Sequence, residues 1–247
     1  MIDRELPLTE HLEELRTRVW RSLLAIVVAF AICYPKSSFL FDFLNAPLMR
    51  AAASESASFT LIGTGVAEAF FTRLKVSFIA ALFLALPVIL YQVWMFIVPG
   101  LRSTEARYAR GFVFAGTVFF VSGAAFCYAV VFDFGFPFFL AEYQDIGVEP
   151  TIRISEYLSF TSRMLLAFGI TFEMPVVSFF LARAGMITHR TLLNVGRYAI
   201  VIVFIVAAIL TPPDVVSQLL MAGPLLVLYA MSIGVAYLAR RRSPDDE

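Results

Sequence analysis

Leu86-Pro-Val-Ile-Leu-Tyr-Gln-Val-Trp-Met-Phe-Ile-Val-Pro-Gly-Leu-Arg-Ser-Thr-Glu-Ala-Arg-Tyr-Ala-Arg110 divides in two at Pro99-Gly100. Ahead of the division, Val76 to Val98 carries no charged side chain. About 23 residues suffice to cross the hydrocarbon of a bilayer as a helix. Pro99-Gly100 stops that helix, and Tyr91 and Trp94 lie near its end, where amphipathic rings favour the membrane interface. Beyond the stop, Arg102, Arg107 and Arg110 surround one carboxylate, Glu105. The stretch therefore reads as a membrane helix that emerges into a basic loop.

The rest of the chain agrees. Of 247 residues, 60% are hydrophobic and 15% charged, whereas a soluble domain carries about 25% charge. There is too little polar side chain to cover a globular surface, and an all-α polytopic membrane protein is expected. Formal net charge is zero, which gives no basic field for nucleic acid. Cys33 and Cys127 fall in separate apolar runs and read as small packing residues, with no disulfide framework and no metal cluster. No small-residue cleavage pattern follows the first apolar run, so that run is expected to stay as an anchor.

Six crossings are expected, at residues 19–34, 76–98, 111–132, 157–182, 198–210 and 215–238, with external loops at 35–73 and 133–156. Leu12, Leu15 and Val19 suggest an amphipathic lead-in helix, with Thr9 as its cap. In the first loop, Phe39 to Leu44 reads as a short interfacial helix and Asn45-Ala46-Pro47-Leu48 as a turn. Gly116, Gly123, Ala124 and Ala125 allow close helix contact in lipid. The fifth crossing has only about 13 apolar residues where about 20 are usual. Pro212-Pro213 makes a tight turn, and Asp214 can cap the sixth helix. Placing the termini and the second-to-third and fourth-to-fifth loops on one side puts 13 Lys and Arg there against 6 opposite. By the positive-inside rule both termini are then cytoplasmic.

Three polar groups could carry chemistry. Glu173, in Phe168-Gly-Ile-Thr-Phe-Glu-Met-Pro175, is a mid-membrane carboxylate; it costs at least a few kcal/mol there and should face protein or a wet cavity. It could serve as a helix–helix hydrogen bond or as a functional polar pocket. Glu14 and Glu105 both lie at the cytoplasmic interface among arginines. They read either as surface ion pairs, worth little, or as a receptor for a cationic motif, since guanidinium and carboxylate pair bidentately. Thr211 and Gln218 flank the last turn and read as a helix–helix contact or as a docking site for a partner helix. No P-loop, HExxH, GxSxG or cysteine–histidine cluster occurs, so neither an enzyme nor a cofactor or metal site is expected.

With these residues in view, the chain resembles the TatC family of twin-arginine translocase subunits over nearly its whole length. The matching stretches are His11-Leu-Glu-Glu-Leu-Arg16, Ala46-Pro47-Leu48, Glu68-Ala-Phe-Phe71 with Lys75, Pro87-Val-Ile-Leu-Tyr-Gln-Val-Trp94 with Phe96, Pro99-Gly-Leu101 with Glu105, Tyr157-Leu-Ser-Phe160, Phe172-Glu-Met-Pro175, and Leu210-Thr-Pro-Pro-Asp214 with Ser217-Gln218. One departure is Ala106, where the family often has a basic residue after the loop glutamate.

The resemblance implies six helices in a glove-like concave bundle with both termini cytoplasmic, in a prokaryotic cytoplasmic (inner) membrane. It implies a receptor for the Arg-Arg signal peptides of folded cargo, self-association, single-span partner subunits of the TatA/TatB type, and export driven by the proton-motive force. It places the signal-peptide site at Glu14 and Glu105 with Arg16, Phe96 and Leu101, an intramembrane glutamate at Glu173, and partner docking at Thr211 and Gln218. From the residues alone, a small ion- or proton-coupled secondary transporter using Glu173, or a passive scaffold, stays open as an alternative.

Overall fold

A computed structural model describes residues 8–54, 59–97, 109–211 and 215–239. The helices are α1 (Leu8–Cys33), α2 (Ser37–Ser54), α3 (Glu68–Ile97), α4 (Ala109–Phe126), α5 (Phe132–Asp145), α6 (Ile154–Phe172), α7 (Met174–Arg183), α8 (His189–Leu210) and α9 (Val215–Ala239). A 3-10 turn, Tyr34–Lys36, links α1 to α2, and a π-helical turn, Cys127–Val131, links α4 to α5. Two three-residue strands, β1 (Thr60–Ile62) and β2 (Thr151–Arg153), pair in parallel with Thr60 opposite Thr151. Six helical stretches are long and apolar enough to cross a membrane: Leu12–Ser54, Glu68–Phe96, Gly111–Asp145, Ile154–Arg183, His189–Leu210 and Gln218–Ala239. Cys33 and Cys127 are buried free thiols.

The chain divides into two compact units, residues 1–40 with 73–117, and residues 41–72 with 118–247. In the first, α1 and α3 meet through Ala29, Ala81 and Ala85, flanked by Ala25, Ile26, Phe30 and Ile89. Alanines let two backbones approach closely where lipid offers no hydrophobic drive to pack. Arg73 Nε donates to the buried Ser37 Oγ at 3.0 Å, which ties the start of α2 to α3.

In the second unit, α9 packs along both α7 and α8. Gly123 sits against α6: a Cβ there would lie 2.6 Å from the Phe168 carbonyl oxygen and 2.6 Å from the Phe172 ring. Gly169 on α6 faces the Phe120 ring in the same way, at 2.7 Å. The expected close contact at Gly123 is thus present, with Gly169 as its unforeseen counterpart. Around this contact Phe126 lies against Phe168 and Phe172, and Phe132, Phe136 and Phe160 form a second aromatic group.

Three expectations need correction. The first loop is mostly helical, and Pro47 lies inside α2 and makes no turn. Proline has no N–H to bond the carbonyl four residues back, so Phe43 O is left without its helical donor. Tyr128 fills that place, its hydroxyl donating to Phe43 O at 2.7 Å, and Tyr157 donates to Leu44 O at 2.6 Å. The Tyr128 bond thus stands in for the one the proline cannot make, and Tyr157 on α6 adds a second tie to the neighbouring carbonyl. The Phe43 and Tyr128 rings stack at 4.6 Å, and Arg50 pairs with Asp133 at 2.8 Å.

The second loop is also largely helical, because α5 carries the chain through Asp133 to Asp145. It stops at Gly147, whose φ of 70° suits glycine. The Val148 N–H reaches Tyr143 O and the Gly147 N–H reaches Gln144 O, which is a Schellman ending. Gly185, with φ of 76°, closes α7 in the same manner, through Met186 N–H to Leu181 O and Gly185 N–H to Ala182 O. Third, α1 already runs at Leu8, so Thr9 lies inside the helix and not ahead of it.

Glu68 begins α3 and organises the strand end of this unit. Its Oε2 accepts from the N–H groups of Thr64 and Gly65, and its Oε1 accepts from Ser155 N–H at 3.1 Å, in the first turn of α6. The first N–H groups of a helix have no partner within it, so one carboxylate secures a loop and a helix start together.

Candidate functional site

The first turns of α1 present Glu13, Glu14, Arg16, Arg18 and Arg21. Glu14 precedes Arg18 by four residues, the spacing and order that bring an acid and a base together on a helix. Arg18 Nη2 donates to Glu14 Oε1 at 2.9 Å, and Arg18 Nη1 donates to Gln92 Oε1 on α3 at 3.3 Å. The Glu14 and Arg18 side chains are 25% and 17% exposed, against 73% and 72% for the longer Glu13–Arg16 pair at 3.7 Å. The first pair is therefore shielded and held in one geometry, while the second is a solvent-screened contact. Glu14 is fixed through one oxygen, and its other oxygen keeps lone pairs for a second guanidinium.

Gln92 was not singled out by sequence reasoning. It is buried, and it is the single amide in the apolar run 76–98; that isolation is the signal that marks it. Phe96 lies one turn further along α3 and is half-buried. Trp94, buried between them in sequence, stacks on Phe112 at 5.2 Å. Arg16 is exposed on α1. Leu101 and Glu105 lie outside the described residues, as does Asp214. The structure thus joins Glu14 to Arg18 and Gln92.

In the second unit, Glu173 stands at a break. α6 ends at Phe172 and α7 begins at Met174, with Pro175 in its first turn. Pro175 cannot donate to the Thr171 carbonyl, and Thr171 Oγ1 turns back to Ala167 O at 2.7 Å. Glu173 N–H bonds Ile170 O at 3.1 Å, and its carbonyl accepts from Val177 N–H at 2.9 Å. Its side chain is half-buried, and Oε1 is buried with no hydrogen-bond partner among the described residues.

Thr211 and Gln218 each bond the backbone of the last two turns of α8. The Thr211 N–H and Oγ1 both donate to Ala207 O, at 2.9 and 2.8 Å, and Gln218 Nε2 donates from α9 to Phe204 O at 3.0 Å. Both side chains thus bond carbonyls in the last two turns of α8, and Gln218 ties α9 to α8.

Comparison with known proteins gives the chain its family. The family model described as Sec-independent protein translocase protein (TatC) matches residues 10–224. A TatC from Desulforapulum autotrophicum is 45% identical over 98% of this chain and 88% of its own length. A TatC from Campylobacter jejuni is 40% identical over 97% of each chain. A crystal structure described as twin arginine translocase receptor TatC superposes with a TM-score of 0.83 at 37% identity, covering 94% of this chain and all of that one. The family match and full-length relatives at this identity, together with six helical stretches able to cross a membrane, show that the chain is a multi-pass membrane protein belonging to the TatC family of Sec-independent protein translocase components.

Proposed function

We propose that the chain is the receptor and core subunit of a twin-arginine translocase, in a prokaryotic cytoplasmic membrane with both termini in the cytoplasm. Signal peptides of folded cargo dock with their paired arginines on Glu14 and Glu105, beside Arg16, Phe96 and Leu101. Single-span Tat subunits assemble near Thr211 and Gln218, copies of the chain associate, and the proton-motive force drives export. The small-solute transporter built on Glu173 gives way, because the family is one of protein translocase components.

The observation that supports this reading most directly is the shielded Glu14. Arg18 holds it through one oxygen and is itself anchored on Gln92 Oε1, so a cargo guanidinium meets a carboxylate already positioned. Arginine suits such a site better than lysine, because its planar fork can bond a carboxylate at two points.

The test is binding of a labelled signal peptide to purified protein in detergent, comparing Arg-Arg with Lys-Lys forms on wild type, Glu14→Gln and Glu105→Gln. Arg-Arg selectivity of about tenfold is expected, the worth of about 1.4 kcal/mol, falling toward unity in either variant. Equal binding of both peptides, or selectivity untouched by both substitutions, overturns the proposal.

A further inference from the structure

On α1, next to the shielded pair, Arg16, Thr17, Trp20, Arg21 and Leu24 line an open groove of about 460 Å³. Their spacing carries them along one side of the helix, over about 12 Å at 1.5 Å per residue. Chemistry changes along that line. Arg16 and Thr17 lie at one end, the exposed indole of Trp20 and the Arg21 stem in the middle, and an exposed leucine at the other; the long Arg21 side chain can reach its head back toward Arg16. Exposed Val28 and Ile32 continue the apolar end at helical spacing from Leu24. Arg16 shares its charge with Glu13 at 3.7 Å, while Arg21 has no carboxylate partner among the described residues. Glu14 is turned to Arg18, which is not among the groove residues.

We propose that this groove binds an anionic membrane phospholipid, its phosphate between Arg16 and Arg21 and its acyl chain along Leu24, Val28 and Ile32. Charge complementarity selects the headgroup: a basic cluster at the membrane interface attracts anionic lipid, and a guanidinium bonds phosphate oxygens at two points. The indole of Trp20 lies where amphipathic rings favour the glycerol level of a bilayer. The polar-to-apolar order matches the order of a phospholipid from headgroup to tail. A soluble anion would use the basic end alone and would gain nothing from Leu24, Val28 and Ile32. The inference does not rest on the signal-peptide reading: the two sites share Arg16, but Trp20, Arg21 and Leu24, which carry this one, are outside that site.

The test is native mass spectrometry of the detergent-purified chain, titrated with phosphatidylglycerol or with phosphatidylcholine of the same tails. Wild type is expected to bind phosphatidylglycerol at least fivefold more tightly. Arg21→Gln should lose about fivefold of that affinity, the worth of one basic residue near an anionic surface. Arg21→Lys, which keeps the charge, should retain the preference even if the neutral variant folds poorly. Trp20→Ala should weaken both lipids, and Arg197→Gln, a basic residue elsewhere on the chain, should change neither. Equal affinity for the two lipids overturns the proposal, as does a preference that survives Arg21→Gln. Displacement of the lipid by soluble glycerol phosphate at comparable concentration also overturns it, because the site would then be one for a free anion.

Discussion

Arg16 and Arg18 sit two positions apart on one helix, yet they have different work. Arg18 is the middle of a three-residue chain, bonded to Glu14 at 2.9 Å and to the buried Gln92 at 3.3 Å. Taking it away leaves a partly buried carboxylate and a buried amide without a donor, and an unsatisfied buried group costs about 1–3 kcal/mol. Arg16 faces water and pairs loosely with Glu13, a contact worth about 0–1 kcal/mol. Arg18→Gln should therefore lower the thermal unfolding midpoint in detergent by several degrees while Arg16→Gln barely moves it; the reverse order would refute the assignment. Gly123 is constrained differently. An added methyl would meet a backbone carbonyl at 2.6 Å, whereas at Gly169 it meets only the Phe120 side chain, at 2.7 Å. A ring can turn aside and a helix backbone cannot do so cheaply, so Gly123→Ala should cost more than Gly169→Ala, within the range of about 1–3 kcal/mol for overpacking. Equal unfolding midpoints for the two variants would count against that distinction.

At the scale of the element, Pro47 shows what a linear reading cannot supply. The spacing of apolar residues makes the long helices legible, and Pro99-Gly100 and Pro212-Pro213, both outside the described residues, read as stops. A proline after Asn45-Ala46 reads as another stop, because nothing nearby in the chain can replace its missing donor. The replacement stands 85 residues away from the carbonyl it serves, on Tyr128, and only the folded chain brings it in. The same limit applies to the site. Glu14 is visible as a carboxylate among arginines, and Arg18 follows from helical spacing, but the partnership with Gln92 spans 74 residues. The β1–β2 pair is hidden for a related reason: strands of three residues carry too little alternation to read. If Tyr128 serves Phe43 O because Pro47 cannot, the two residues are coupled. Tyr128→Phe should destabilise the wild type by about 1–3 kcal/mol, and by less in a Pro47→Ala background, where the substituted residue regains a backbone N–H that can serve Phe43 O. Chemical unfolding of the two single variants and the double variant measures this; additive effects would show that the tyrosine bond does not answer to the proline.

At the scale of the whole molecule, the six helical stretches are unequal, and α8 is the one least suited to an ordinary bilayer. The helix has 22 residues, but Arg197 divides it, and the apolar part beyond Arg197 rises only about 20 Å against a hydrocarbon core of about 30 Å. Arg197 lies over the Tyr198 ring at 4.7 Å and bonds its hydroxyl at 3.0 Å, so the charge is held beside an aromatic group of the kind that settles at an interface. At the other end, Thr211 bonds Ala207 O and Gln218 of α9 bonds Phe204 O. Neither end can slide far, so the bilayer must thin around α8 or the helix must carry a charge into hydrocarbon. Mismatch costs fractions of a kcal/mol per Å, which over about 10 Å becomes measurable. The chain reconstituted in short-tailed phosphatidylcholine should unfold at a higher temperature than in long-tailed phosphatidylcholine. Longer helices such as α3 pull the other way, so the deciding comparison is with Arg197→Leu, which extends the apolar run back toward Leu192. That variant should lose the preference for the thin bilayer or reverse it, while α3 and its contacts stay as they are. If wild type and Arg197→Leu respond to tail length alike, α8 is not the element that sets the local thickness, and local thinning of the membrane by this helix would have no part in how the chain works.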